Sequence, residues 1–348
     1  MKVTIKQIAD IVGVSRGTVD RALHNRGGIN PQVREQIQAV AASLGYRPNA
    51  AGKQLSVRKQ HLKFGFILPP RGNGFWHDVH LGIDAISEEL ADYGVTVLRR
   101  DFRKYTAAEQ IALIEELIDE GIAGLAIAPI NEPALQKKLN HLVEQGFPLV
   151  VVNSEIEFVT PLCFISADYE FSGRTAAGIL GLIAKTQHTE LLIFTGTKTM
   201  LSHTRRITGF LNEINRLGLD CHLIGVEKLY NEAEISSEES AYQTVTTMLR
   251  KHPETTAIFT AAGAVYIVAK AIKDCGMAGR ITHLSFDLND TTLPGLQDGT
   301  LTAIIGQESF RQGYQPMKIL FDYLVNGIQP PAQRIILQNE IFIQQNAT

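Results

Sequence analysis

The sequence has few cysteines, few aromatic residues and no long apolar run, and these shortages exclude several classes of protein. Its three cysteines lie more than about fifty residues apart, so we expect free thiols and neither a disulfide framework nor a zinc site. No stretch approaches the roughly 20 apolar residues that cross a bilayer. Residues 1–10 lack the apolar segment of an export signal. We therefore expect a cytoplasmic protein with no membrane partner.

Positive charge is concentrated at the amino-terminal end, although the 348-residue chain has a formal net charge of only −3. Residues 1–60 hold ten Lys or Arg against three acidic residues, which leaves 23 basic and 33 acidic residues in the remainder. A small basic segment joined to a larger acidic body predicts that the basic segment binds a polyanion. At about 150 residues per domain, the length predicts two or three domains.

Residues 1–46 have the pattern of three short helices. The apolar positions 5, 8, 9 and 12 share one helical face, with Thr4 as the expected N-cap and Gly13 as the end of the helix. Ser15 is the expected cap of a second helix. A third helix is expected near 31–44. Its inward-facing residues are expected to be Val33, Ile37, Val40, Ala41 and Leu44. Two helices joined by a short glycine turn form a helix-turn-helix.

This head resembles the LacI family of bacterial transcription regulators. The similarity lies in residues 4–15 and 18–23, which match the first two helices of the family, and in residues 45–49, which match the entry to its hinge. Leu55 falls at the family's hinge leucine, which is a wedge inserted between base steps in the minor groove. The resemblance implies a head over 1–46, a hinge over 47–61, and a homodimer or tetramer on a near-palindromic operator.

The resemblance also predicts which residues contact DNA. Arg16, at the start of the second helix, is expected to bind guanine through two hydrogen bonds. Asp20 departs from the family, and either neutralises Arg16 or accepts a hydrogen bond from cytosine. The predicted DNA contacts are Thr4, Ser15, Arg16, Gly17, Thr18, Arg21, Asn25, Asn49 and Leu55.

From residue 62 to 345, short apolar strands alternate with amphipathic helices, which predicts two doubly wound α/β lobes with a ligand cleft at the carboxyl ends of the strands. This body resembles the ribose-binding type of periplasmic sugar-binding fold. The expected strands lie near 64–68, 95–99, 124–128, 148–152, 162–166, 191–195, 222–226, 256–260, 281–286 and 301–306.

Aromatic and polar residues near these strand ends are predicted to bind a sugar or polyol. Aromatic faces stack on sugar rings, and a paired carboxylate and guanidinium, Asp287 and Arg206, suit hydroxyl groups. Trp76 either lines the cleft or belongs to the core. Asp168 is expected to stabilise a helix N-terminus or an interlobe loop more than a ligand. The predicted ligand contacts are Asn73, Phe75, Trp76, Asn153, Arg206, Asp287 and Gln307.

Two departures from the family leave the identity of the sugar open. Ala262-Gly263 stands where the family commonly has an Asn-Asp pair, and Ser154 replaces a frequent arginine. The sequence also does not decide whether the protein represses or activates transcription, or whether its ligand is an inducer or a corepressor.

Other functions have weaker support in the sequence. A transported-solute receptor would need an export signal, and a dinucleotide enzyme would need a glycine fingerprint that Gly72-Asn73-Gly74 lacks. No nucleophile elbow is present. His77 and His80 are interpreted as surface or cleft-rim residues and not as metal ligands. We therefore predict no catalysis, no cofactor and no metal, and we expect a DNA-binding regulator controlled by a small molecule.

Overall fold

The computed structural model describes residues 3–23, 27–46, 57–72, 74–185, 187–196, 200–229 and 238–347. Four of the predicted contact residues lie outside these ranges: Asn25, Asn49, Leu55 and Asn73. Within the described ranges, no helix is long and apolar enough to cross a membrane.

Three short helices form the head, and their ends follow the predicted capping residues. The Gln7 backbone N–H donates to Thr4 Oγ1 (3.3 Å), and the Thr4 N–H donates to Gln7 Oε1 (2.8 Å), which completes a capping box. Gly13 ends the first helix with φ 74°. Ser15 Oγ accepts from the Thr18 N–H (3.1 Å). The helices are α1 (Ile5–Val12), α2 (Arg16–Leu23) and α3 (Pro31–Ser43).

One apolar cluster holds these helices together, and Leu44, which was predicted to belong to it, does not. Its buried members come from all three helices: Ile8, Ala9, Val19, Ala22, Ile37 and Ala41. Leu44 was expected inward but is 39% exposed. The reason is that α3 ends at Ser43, and Gly45 turns the chain away with φ 65°.

Lobe 1 is a six-stranded parallel sheet in the order β11-β5-β4-β3-β1-β2 with helices on both faces. Its four inner strands are almost continuously buried, as expected where both faces of a sheet are covered, whereas the edge strands β2 and β11 are partly exposed. Its elements are β1 (Lys63–Leu68), α4 (Gly74–Ala91), β2 (Thr96–Asp101), α5 (Ala107–Asp119), β3 (Gly124–Ile127), α6 (Pro133–Glu144), β4 (Leu149–Val152), β5 (Cys163–Ala167), α12 (Ser309–Phe321) and β11 (Arg334–Leu337).

Lobe 2 repeats this arrangement in the order β12-β10-β9-β8-β6-β7. Its strands are parallel except for β12, which runs antiparallel to β10. Its elements are α7 (Tyr169–Ile183), β6 (Thr189–Thr195), α8 (Leu201–Leu217), β7 (Cys221–Lys228), α9 (Glu238–Lys251), β8 (Ala257–Thr260), α10 (Val265–Asp274), β9 (Thr282–Phe286), α11 (Leu293–Gln297), β10 (Ala303–Gly306) and β12 (Glu340–Phe342).

In each lobe, glycines allow two helices to pack backbone against backbone. A Cβ atom added at Gly82 of α4 would lie 2.0 Å from the Phe310 carbonyl oxygen of α12. In lobe 2, a Cβ at Gly173 of α7 would lie 2.0 Å from the Arg206 carbonyl oxygen of α8. The close approach at Gly173 places α8, which carries Arg206, directly against α7 in lobe 2.

The chain passes between the lobes three times: after β5 at residue 168, after β10 at residues 307–308, and between β11 and β12 at residues 338–339. These crossings are tied to one another. Ser172 Oγ donates to Asn339 Oδ1 (3.0 Å), and the Gln338 N–H donates to Glu308 Oε1 (2.8 Å). The joint between the lobes is therefore a small set of linked segments.

Candidate DNA-contacting helix and ligand cavity

Helix α2 and the residue before it present most of the predicted DNA-contacting residues. Arg16, Gly17 and Arg21 are exposed, and the hydroxyl oxygens of Ser15 and Thr18 lie 2.9 Å apart beside them. Thr4 is also exposed, at the start of α1. An exposed helix N-terminus suits both base edges and phosphates. The individual contacts of these residues with DNA stay predictions.

A cavity lies between the lobes at the carboxyl ends of their strands, with about 1360 Å³ of empty space counted out to its open mouth. The described ligand contacts predicted from the sequence come together here: Phe75, Trp76, Asn153, Arg206, Asp287 and Gln307. Sequence reasoning missed other lining residues, among them Tyr105, Met200, Ser202, His203, Tyr266 and Asn289.

A chain of hydrogen bonds joins the polar groups at the cavity floor. Arg206 Nη1 donates to the Ala261 carbonyl (2.9 Å), and Nη2 donates to Gln307 Oε1 (2.5 Å). Gln307 Nε2 in turn donates to Asp287 Oδ1. The expected pairing of Asp287 with Arg206 is therefore indirect, because the Gln307 amide stands between the two charges.

Burial changes the ionisation of both charged groups. Arg206 is 5% exposed, and loss of solvent lowers the pKa of its guanidinium, which lies 3.9 Å from the Phe286 ring centre and 4.9 Å from that of Tyr169. Burial raises the pKa of the Asp287 carboxyl to about 6, although Arg206 opposes the shift. The floor thus holds a buried guanidinium close to a carboxyl whose pKa burial raises to about 6.

Left-handed backbone conformations aim two polar residues at the cavity. Asn153 (φ 62°) follows β4, and Asp287 (φ 68°) follows β9. Asn153 Nδ2 donates to Gln312 Oε1 (3.1 Å), and Gln312 Nε2 donates to the Gln307 carbonyl (2.9 Å). The strand ends of both lobes are thereby connected to the crossing at Gln307.

Three further predictions concern residues around the cavity. Trp76 satisfies both alternatives, since it lines the cavity and belongs to the core of lobe 1. Asp168 is confirmed as a helix cap, because its Oδ1 accepts from the Phe171 N–H (2.9 Å). His77 is exposed, but the rim interpretation of His80 was wrong. His80 is fully buried, with Nε2 3.0 Å from the Pro69 carbonyl oxygen, because α4 packs this position against the segment that follows β1.

Some of the missed residues carried a signal in the sequence. Ser202 and His203 precede Arg206 by four and three positions on α8, so they share its helical face. Met200 gave no comparable signal. It stands at the start of α8 in lobe 2, yet it is buried within an apolar cluster of lobe 1.

The three cysteines are free. Within the described ranges, no three His, Cys, Asp or Glu residues are grouped so that they could hold a metal ion.

Comparisons with known proteins agree with this architecture. Residues 64–328 match the periplasmic binding protein domain family, and residues 4–49 match the family described as bacterial regulatory proteins, lacI family. Catabolite control protein A of Priestia megaterium is 22% identical over 331 residues, 93% of each chain. The HTH-type transcriptional regulator AglR of Rhizobium meliloti is 24% identical over 305 residues, 85% of this chain and 80% of that protein.

Among solved structures, an ABC-transporter solute-binding protein from Burkholderia graminis in complex with D-arabinose superposes with a TM-score of 0.75. The two are 21% identical, and the match covers 82% of this chain and 96% of that chain. This similarity shows the fold of the body.

The helix-turn-helix head and the two-lobed body together define a DNA-binding transcription regulator with a sugar-binding type of ligand domain. The chain belongs to the periplasmic binding protein domain family through its body, and its head is a helix-turn-helix domain of the bacterial regulatory protein type, lacI family.

Proposed function

We propose that the chain is a cytoplasmic repressor without enzymatic activity, which binds a near-palindromic operator as a homodimer. A sugar or polyol in the interlobe cavity changes its operator affinity. The sugar-bound structure from Burkholderia graminis and the regulators among the relatives support the two halves of this proposal.

The position of Gln307 carries the proposal. Its side chain contacts Arg206 and Asp287 in the cavity, while its backbone carbonyl accepts from Gln312 of lobe 1. Gln307 also lies in one of the three segments that join the lobes. A ligand that binds these side chains therefore acts directly on the joint, and it shifts the lobe equilibrium by its differential affinity for the two arrangements.

Selection of duplexes from a random pool by the full-length chain tests the DNA half of the proposal. We expect a near-palindrome to be enriched, with an affinity that falls with salt at a logarithmic slope of about 0.9 per phosphate contacted. Failure to enrich any duplex at low salt would contradict the regulator and favour a solute-binding protein.

The predicted role of Arg16 gives a matched pair of variants. Arg16→Ala is expected to weaken operator binding by about 1–3 kcal/mol and relax specificity at one base pair. Arg280→Ala removes an exposed arginine from lobe 2 and should leave operator affinity unchanged. Equal losses in both variants would refute the assignment of α2.

A further inference from the structure

Lobe 2 touches the beginning of helix α4 at Gly74. Gly74 is the first residue of α4 in lobe 1, Asn289 follows β9 in lobe 2, and both residues line the cavity. A Cβ atom added at Gly74 would lie 2.0 Å from Asn289 Cγ. Because non-bonded carbon atoms pack about 3.5–4.0 Å apart, this arrangement of the lobes requires a residue without a side chain at position 74.

The Asn289 carboxamide cannot turn away from Gly74 without losing hydrogen bonds. Its Nδ2 donates to the Asp287 carbonyl (3.0 Å), and its Oδ1 accepts from the Thr291 N–H (3.0 Å), the Thr291 hydroxyl (2.7 Å) and the Thr292 N–H (3.3 Å). These bonds fix the side chain within its own segment of lobe 2. A methyl group at position 74 is therefore accommodated more readily by separation of the lobes than by movement of Asn289.

A second contact between the lobes, at Met200, favours their approach. Met200 precedes α8 in lobe 2, but its side chain is 3% exposed and lies in an apolar cluster whose other members belong to lobe 1. Separation of the lobes would expose Met200 and the apolar atoms that it covers, which is unfavourable in water. The lobes thus have a reason to stay together that does not depend on a bound molecule.

We propose that Gly74 is a positioning residue that allows the lobes to close over the cavity, with Asn289 as its partner, and that the ligand-free chain populates this closed arrangement. A side chain at position 74 holds the lobes apart. It thereby moves Arg206 and Gln307 away from the aromatic surface of lobe 1 and weakens the binding of any ligand that contacts both. This inference rests on the proposed role of the cavity as the ligand site.

The single tryptophan of the chain, Trp76, reports whether the cavity is closed, because it lines the cavity and is 7% exposed. Acrylamide quenching of its fluorescence is measured in the ligand-free, full-length chain. Gly74→Ala should raise the quenching constant by at least about twofold, because the overlap favours the open arrangement. Gly72→Ala is the matched control, since Gly72 also lines the cavity but an added Cβ there meets no atom within 4 Å. It should keep the parent value.

Removal of the partner side chain tests whether the effect arises between the lobes. In the double variant Gly74→Ala/Asn289→Ala the methyl group no longer meets a carboxamide, so the quenching constant should return to that of Asn289→Ala alone. A constant that stays raised would place the effect within α4 and overturn the proposal. No rise in Gly74→Ala would overturn it as well.

A variant that adds no atom provides a second test of closure. Met200→Ala removes the apolar contact with lobe 1 and should also raise the quenching constant, whereas an unchanged constant contradicts a closed ligand-free chain. Thermal unfolding of each variant confirms that it is folded. We expect Gly74→Ala to be at least as stable as the parent, because alanine is the better helix former. The measurements use neither sugar nor DNA, so their failure is distinguishable from failure of the regulator proposal.

Discussion

Among single residues, Asp287 links the cavity to the stability of the fold. Burial raises the pKa of its carboxyl from 3.8 to about 6. Below pH 3.8 the group is protonated in both the folded and the unfolded chain and contributes nothing. Between about pH 4 and 6 the unfolded chain releases this proton first, so the contribution of Asp287 to stability falls as pH rises.

Asp287→Asn removes this titration and keeps the shape of the side chain. We expect the free energy of unfolding of the variant, relative to the parent, to increase from pH 4 to pH 7, as measured by urea denaturation at several pH values. This pH range follows from the difference between the pKa of Asp287 in the unfolded chain, 3.8, and its raised pKa of about 6 in the folded chain. A difference that stays constant over this range would show that Asp287 ionises normally in the folded chain.

Among the elements, the pair α7 and α8 depends on the absence of a side chain at Gly173. Gly173→Ala places a methyl group against the Arg206 carbonyl, so we expect a loss of about 1–3 kcal/mol from overpacking. Gly178→Ala on the same helix meets no atom within 4 Å, and it should be neutral or stabilise the protein by up to about 1 kcal/mol. Thermal unfolding of both variants measures the contrast.

The free energy of unfolding should fall in Gly173→Ala and should stay the same or rise in Gly178→Ala. Equal stabilisation by both variants would mean that helix propensity, rather than the close approach of α7 to α8, sets the effect. Because α8 carries Arg206, the Gly173→Ala variant should also bind ligand more weakly.

Elements with strong local signals could be predicted from the sequence. Thr4 and Gly13 mark the ends of α1 because a cap and a left-handed glycine act within one turn of helix. β11 and β12 were missed because they are short and partly exposed, and form only by pairing with strands far earlier in the chain. α11 was missed as well, because it has only five residues.

The candidate site divides in the same way. Asn153 and Asp287 could be predicted because each directly follows an apolar strand, where ligands bind in this class of fold. Tyr105 and Met200 could not, since they reach the cavity through packing between segments distant in sequence. Leu44 failed for a different reason, because its helix ends one residue earlier than its apolar pattern suggests.

In the whole molecule, an ion pair connects the lobes beside the cavity. Arg205 of α8 lies 2.6 Å from Glu155, which follows β4 in lobe 1. Glu155 also pairs with Arg334 on β11 of its own lobe. Separation of the lobes would break the first pair and keep the second.

Arg205→Ala should therefore weaken ligand binding by about two- to fivefold, as expected for a partly exposed ion pair, by favouring the open arrangement. Calorimetric titration measures the change. Arg334→Ala removes the pair within lobe 1 and serves as the control, with ligand affinity expected to stay at the parent value. The same loss in both variants would exclude a specific effect of the interlobe pair.

The central claim is that occupancy of the cavity controls the affinity of the head for DNA. The direct measurement is the operator Kd of the full-length chain, with and without a saturating bound sugar, beside the same comparison for Arg206→Ala. We predict that the sugar changes the operator Kd of the parent chain. The Arg206→Ala variant should still bind the operator, with a Kd that the sugar does not change. An operator Kd of the parent that is identical with and without bound sugar would contradict the claim.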